Sequence, residues 1–228
     1  MMFWLDYSKN FKNDKIKALF SISTETNEEE LSRERFAKLA NFNPLKLIVP
    51  IQTHSTNINL INEPGYLDNL DGVFSSKKEL VCTLQVADCL PIYFAHISSY
   101  KIGLVHAGWR GLAKGIIKSV KNLFLKNNWC ISDFNIVIGP SIHSCCFLVK
   151  EDVIKHFESE FYQKINSSQF SVDLQSWAIS QLLEIGARPD NILSVGDCTC
   201  CLGDKFYSYR RNGANAGRMI ALIGLDNK

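Results

Sequence analysis

The chain has 228 residues, 46% hydrophobic and 11% aromatic, enough apolar mass for one full core at the size of a single large domain, expected over 1–228. Its 25 basic and 23 acidic side chains give a net charge of +2, without a basic run dense enough to serve as a footprint for nucleic acid. The start, MMFWLDYSKNFKNDK, lacks the features of a secretory signal, and no apolar run reaches the ~20 residues that span a bilayer, so a soluble cytoplasmic protein with no membrane partner is expected.

In chain order, 17–22 reads as a first strand and 27–40 as a helix. Thr26 or Asn27 would cap it, Glu28 to Glu30 suit its positive end, and Leu31, Phe36, Leu39 and Ala40 are its apolar positions. A strand at 46–51 runs into the polar tetrad Gln52-Thr53-His54-Ser55, which is either a plain turn or the source of a ligand, His54, before a strand at 57–61. Pro64-Gly65 and Asp71-Gly72 punctuate the loop before Val73-Phe74, and 80–85 is the next strand. Ala87-Asp88-Cys89-Leu90-Pro91 then interrupts the apolar pattern before 92–95. Asp88 and Cys89 are placed at a bend, because Pro91 cannot donate to a central ladder.

A strand at 101–105 leads to His106, and Gly108-Trp109-Arg110-Gly111 opens a helix over 108–125 with Ile116, Ile117, Val120, Leu123 and Phe124 on its apolar face. A strand at 134–138 ends on Gly139-Pro140, and Ser141 to Cys146 crosses into 147–149. Helices are expected at 151–162 and 173–185, the second turning Trp177, Leu182 and Leu183 inward. A strand at 191–195, the run Asp197-Cys198-Thr199-Cys200-Cys201, the run Phe206 to Arg211 and a glycine-bearing loop precede a last strand ending at Leu225. This alternation gives a mixed α/β or α+β class, with no internal repeat.

His54, Cys89 and His106 each sit where a strand gives way to a polar loop. If those strands are neighbours, two imidazoles and a thiolate converge with one position open, the donor set of a catalytic zinc. Cys89 is otherwise a small buried hydrophobe. Arg110, beside free backbone N–H groups at a helix start, either holds an anion or pairs with a carboxylate.

Six signatures, spread in order from about residue 50 to 218, carry a resemblance. They are Gln52-Thr53-His54-Ser55, Asp71-Gly72-Val73, Ala87-Asp88-Cys89-Leu90-Pro91, His106-Ala107-Gly108-Trp109-Arg110-Gly111, Gly139-Pro140-Ser141-Ile142 and Phe206-Tyr207-Ser208-Tyr209-Arg210-Arg211. The set resembles the YfiH/LACC1 family, formerly described as multicopper polyphenol oxidases or laccase-like proteins. The resemblance implies a single α+β domain of mixed sheets flanked by helices, with zinc held at His54, Cys89 and His106. It also implies phosphorolysis of adenosine, inosine, guanosine or methylthioadenosine, and hydrolytic deamination of adenosine, so that the partners are a purine nucleoside and phosphate. On that reading Arg110 holds phosphate, and Asp88 orients a zinc histidine or acts as base. Arg210, Arg211 and Gln52 contact substrate. Removal of misincorporated serine from cell-wall precursors by an amidase at the same zinc is the alternative enzyme, and a non-catalytic zinc- or thiol-binding protein is the third reading. His143 departs from the family pattern and reads as a surface histidine, a fourth ligand or substrate contact being the other reading.

The sequence argues against two further metal chemistries. Five histidines without a His-x-His pair are too few for a multicopper cluster. Neither His54 nor His106 is followed by x-Glu, as a cytidine-deaminase-like site requires. The eight cysteines are expected to stay reduced. Cys145-Cys146, pointing apart on an extended chain, and Cys198-x-Cys200-Cys201 are read as buried thiols rather than a structural zinc site.

Overall fold

The computed structural model describes residues 3–23 and 31–226. Its elements begin with β1 (Trp4–Asp6), β2 (Ile16–Ser21), α1 (Arg33–Leu39), β3 (Leu47–Pro50), β4 (Ile58–Leu60), β5 (Gly65–Leu67), β6 (Gly72–Ser75) and β7 (Val81–Val86). The middle of the chain forms β8 (Leu90–His96), β9 (Ile102–Ala107), α2 (Trp109–Lys114), α3 (Ile116–Lys126) and β10 (Phe134–Ile138). Then follow β11 (Leu148–Val149), α4 (Glu151–Ile154), β12 (Tyr162–Lys164), β13 (Phe170–Val172), α5 (Leu174–Glu184), β14 (Ile192–Ser194), α6 (Tyr209–Asn212) and β15 (Met219–Leu225).

Two six-stranded mixed sheets carry the fold, one in the order β1-β2-β15-β7-β3-β5 and the other β14-β10-β8-β9-β6-β4, with a small third sheet of β11, β13 and β12. Side-chain alternation builds the layers. In β2, Ala18 and Phe20 face a core shared with Val73, Tyr93, Leu104 and Val137 of the second sheet, whereas Leu19 between them packs with Phe36 and Ala37 of α1. The outer face of the second sheet (Phe74, Ile92, Phe94, Val105, Ile136) is covered by Ile116, Val120 and Phe124 of α3 and by Leu174, Trp177 and Leu182 of α5. The order is therefore α1, first sheet, second sheet, then α3 and α5, an α+β arrangement. Among the described residues no helix is long and apolar enough to cross a membrane.

The expected elements hold with several corrections. The caps Thr26 and Asn27 lie outside the described residues; the described helix starts at Arg33, where Ser32 accepts the Arg35 N–H. The helix expected over 108–125 is two helices, because Gly115 adopts φ +88 and closes α2 before α3 begins. The 151–162 segment is helical only to Ile154, after which a 3₁₀ turn delivers Tyr162 into β12. Leu183 is 40% exposed rather than inward. Pro91 lies inside the central strand β8, opposite His106. His106 gives its N–H to Asp71 rather than to β8, so the pair needs no donor from Pro91, whose carbonyl accepts from Gly139.

Two connections place the site. The segment after β3 leaves the first sheet and enters the second at β4, and the bend 87–89 does the same between β7 and β8. Both crossings lie at the edge where β9 ends, so three polar segments meet at the seam between the sheets.

Candidate functional site

At that seam the ligand atoms of His54, Cys89 and His106 lie within 4.8 Å of one another. Cys89 Sγ is 3.9 Å from His54 Nε2, and the two imidazole rings meet edge to face with centroids 4.8 Å apart. Nitrogen and thiolate ligands on one tetrahedral zinc are separated by about 3.6 Å, given Zn–N of about 2.0–2.1 Å and Zn–S of about 2.3 Å. The three side chains therefore could hold a metal ion of that size, with a fourth position open.

Asp71, fully buried, organises this group. Its Oδ1 accepts the Nδ1–H of His106 at 2.7 Å and the backbone N–H of His54 at 3.0 Å. Its Oδ2 accepts from the Ser55 N–H and hydroxyl at 2.6 and 2.7 Å, and from the Thr53 N–H at 3.2 Å. Three successive N–H groups thus curl around one carboxylate, a curl that requires the left-handed φ of +57 at His54. Burial opposes ionisation of Asp71, but the His106 and Ser55 hydrogen bonds overcome it and hold its pKa far below the ordinary carboxylate range. With its Nδ1 so engaged, His106 presents Nε2 as the ligand atom. Burial would disfavour the His106 imidazolium, yet the facing Cys89 thiolate and Asp71 raise its pKa to about 9. Conversely, burial would raise the Cys89 thiol, but His106 and His54 bring it down to about 6. Asp71 was missed as a site residue from sequence; the signal was its position one residue before β6, which the β6–β9 register sets beside His106.

The group opens on a cavity of about 710 Å³. Trp109, Phe147 and Tyr209 give it aromatic walls, and four arginines, Arg33, Arg110, Arg210 and Arg218, line it. Among the described residues Asp88 is the one acidic residue lining it, and its carboxylate is occupied by Thr199 Oγ1 at 2.7 Å, Ser208 Oγ at 3.0 Å and the Arg210 N–H at 2.6 Å. The contact with the metal-competent histidine is therefore made by Asp71, while Asp88 anchors the start of α6.

The remaining candidates separate. Arg110 is exposed, with its guanidinium 4.5 Å from the centroid of the Trp109 ring; among the described residues it pairs with no carboxylate. Arg210 donates to the Cys146 and Leu148 carbonyls and reaches across the Phe147 ring. Arg211 lies outside this cavity and binds the Thr199, Cys200 and Phe206 carbonyls. Gln52 lines the cavity and locks both ends of its amide onto the Gln85 backbone, each at 2.8 Å. Arg33, which sequence reasoning missed, donates to Gln52 at 3.5 Å and has a buried Nε without a hydrogen-bond partner. His143 stands apart from the His54, Cys89 and His106 group and from the cavity, half-buried rather than on the surface.

Fold and site define an α+β protein with a His₂Cys centre at the mouth of an arginine-lined cavity. The chain belongs to the family described as "Multi-copper polyphenol oxidoreductase laccase", which it matches over residues 20–226. Among relatives, the protein named purine nucleoside phosphorylase YlmD from Geobacillus stearothermophilus is 33% identical over 163 residues, which are 68% of this chain and 60% of that protein. The human protein named purine nucleoside phosphorylase LACC1 is 30% identical over 218 residues, 91% of this chain but 50% of the relative. A purine nucleoside phosphorylase from Staphylococcus saprophyticus is 30% identical, covering 84% of this chain and 78% of its own length. The chain thus spans about half to three fifths of the first two relatives. The crystal structure of YlmD from Geobacillus stearothermophilus superposes with a TM-score of 0.88 at 25% identity, over 95% of this chain and 94% of that one. That of the Bacillus licheniformis hypothetical protein YfiH does so at 0.85 and 24% identity, over 93% and 94%.

Proposed function

We propose that the protein is a zinc-dependent purine nucleoside phosphorylase that also deaminates adenosine. The observation that carries this reading is the pairing, in one cavity, of a His₂Cys group with four guanidiniums opposed, among the described residues, only by an acid whose oxygens are already occupied. Such a cavity favours an anionic ligand, and its aromatic walls suit a planar base. The names of the relatives supply the same substrate class.

His54, Cys89 and His106 would hold the zinc. Two imidazoles and a thiolate suit zinc, whereas a multicopper oxidase needs many converging imidazoles; among the described residues His54 and His106 alone share a metal-competent group. Zinc held there supplies Lewis acidity for an oxygen nucleophile and, for deamination, lowers the pKa of water towards about 7.

In phosphorolysis a phosphate oxygen bonds to the anomeric carbon while the bond from that carbon to the purine nitrogen breaks and the base leaves with the electron pair. Arg110 grips the phosphate, its guanidinium lying over the Trp109 ring and, among the described residues, pairing with no carboxylate. Arg210, fixed by the Cys146 and Leu148 carbonyls, adds positive charge to the cavity lining. Asp88 acts through position, holding the Arg210 backbone where the side chain lines the cavity. Gln52 shapes the floor by tying the end of β3 to β7. Asp71 fixes the tautomer of His106.

The test is incubation of the purified protein with adenosine or inosine, with and without phosphate, followed by chromatography of bases and nucleosides. Free base and pentose 1-phosphate that require phosphate, together with phosphate-independent inosine from adenosine, are expected. Unchanged nucleosides with zinc-loaded protein would overturn the reading.

A further inference from the structure

The second convergence of ligand atoms lies away from the cavity. The sulfurs of Cys145, Cys146, Cys198 and Cys201 all lie within 4.8 Å of one another. Cys145 Sγ is 3.6 Å from Cys198 Sγ and 3.4 Å from Cys201 Sγ, and Cys146 Sγ is 3.3 Å from Cys201 Sγ. This corrects the expectation of unrelated buried thiols, and local backbone explains the correction. Residues 144–146 form a turn rather than an extended chain, with the Cys146 and Phe147 N–H groups both on the His143 carbonyl, so the adjacent thiols reach one centre. Cys198 and Cys201 have the Cys-x-x-Cys spacing of a metal knuckle, closed by the Leu202 N–H on the Cys198 carbonyl. The His143 N–H points at Cys198 Sγ at 3.4 Å, the polarity that a thiolate ligand uses.

We infer that Cys145, Cys146, Cys198 and Cys201 form a second metal site, a tetrathiolate that takes one zinc ion. Four thiolates on a tetrahedral zinc stand about 3.8 Å apart, given Zn–S of about 2.3 Å, and the three sulfur–sulfur separations above fall just inside this value. An iron–sulfur cluster must fit several irons and sulfides between its cysteines and needs a wider cage. Four thiolates close the coordination sphere, so the site is structural and offers no position to substrate.

The fold gives such an ion a purpose. Cys145 and Cys146 lie in the loop after β10, Cys198 and Cys201 in the loop after β14, and these neighbouring parallel strands are extended by the isolated Ser141–Cys198 bridge. The first loop carries Ile142 and Phe147 of the cavity wall. The second carries Thr199, which holds Asp88. A metal joining them would clamp that wall from behind, at a place where Cys145 and Cys201 are exposed.

The test uses full-length protein purified without chelator. Elemental analysis should give about one zinc per chain that persists in Cys89→Ala and is lost in Cys201→Ser. Cobalt-substituted wild-type protein should show the visible and near-ultraviolet bands of a tetrahedral tetrathiolate, stronger and at longer wavelength than the one thiolate of a His₂Cys site gives, and these do not depend on any variant folding. Retention of the Cys89-independent zinc in Cys201→Ser, absence of tetrathiolate bands, or disulfides linking these cysteines in protein alkylated at isolation would each overturn the proposal. None of these readouts uses nucleoside turnover, so the outcome is independent of the proposed activity.

Discussion

Asp71 and His106 are joined twice: the Asp71 carbonyl accepts the His106 backbone N–H at 2.7 Å, and the Asp71 carboxylate accepts the ring Nδ1–H at the same distance. The backbone bond continues the β6–β9 pairing one residue beyond Gly72 and Val105, so the orientation of one proposed ligand follows from sheet register. The carboxylate also gathers the N–H groups that shape the His54 turn. One buried charge therefore sets two of the three proposed ligands.

Asp71→Asn keeps an acceptor but removes the charge and turns one oxygen into a donor facing N–H groups. Metal affinity, read by chelator competition, is expected to fall about 10–100-fold. Stability to urea should fall as well, because hydrogen bonds to a charged group contribute about 1.5–3 kcal/mol each. Unchanged affinity would show that the His54 and His106 geometry does not depend on the carboxylate.

Gly108 gives a second and sharper probe. A Cβ there would lie 2.9 Å from Cys89 Sγ and 3.3 Å from His54 Cδ2, too close for either to stay in place. Its φ of −77 is open to any residue, so Gly108→Ala should leave the unfolding midpoint nearly unchanged while weakening metal binding about tenfold or more. Equal metal affinity in the two proteins would show that the three side chains do not act together as ligands.

The strands, the order of the motifs and the three convergent residues were legible because apolar period and polar breaks are local. What the sequence hid was set by pairing between distant segments. Asp71 gained its role from the residue that β9 laid beside it, and Arg33 from a helix that places it over Gln52. Asp88 was expected to orient a zinc histidine or act as base, but its φ of +83 turns its carboxylate towards Thr199 and Ser208, more than 100 residues away. The cysteines misled for the opposite reason: their adjacency suggested divergence, and a tight turn overrode it.

Asp88→Asn tests the positioning role. The carboxylate accepts three bonds from groups in two other segments, and an amide leaves one or two of those donors unpaired in a buried place. Stability is expected to fall by about 2–4 kcal/mol, with KM rising more than kcat falls, since Arg210 is displaced while the metal-competent group is untouched. A variant of native stability that lost only kcat would return Asp88 to a role as base.

Arg110 separates the two proposed reactions. Its guanidinium lies over the Trp109 ring, and the residue lines the cavity. Arg110→Lys keeps the charge but loses the planar fork and the stacking that presents it. Loss of one or two charge-assisted hydrogen bonds to phosphate, at about 1.5–3 kcal/mol each, corresponds to about tenfold or more in phosphorolysis. Deamination of adenosine consumes water and no phosphate, so it should change little on the same preparation, and that comparison controls for fold and metal content. An equal fall in both reactions would make Arg110 a support of the cavity as a whole. No fall in either would leave phosphate to Arg33, Arg210 or Arg218, the other guanidiniums that line the cavity.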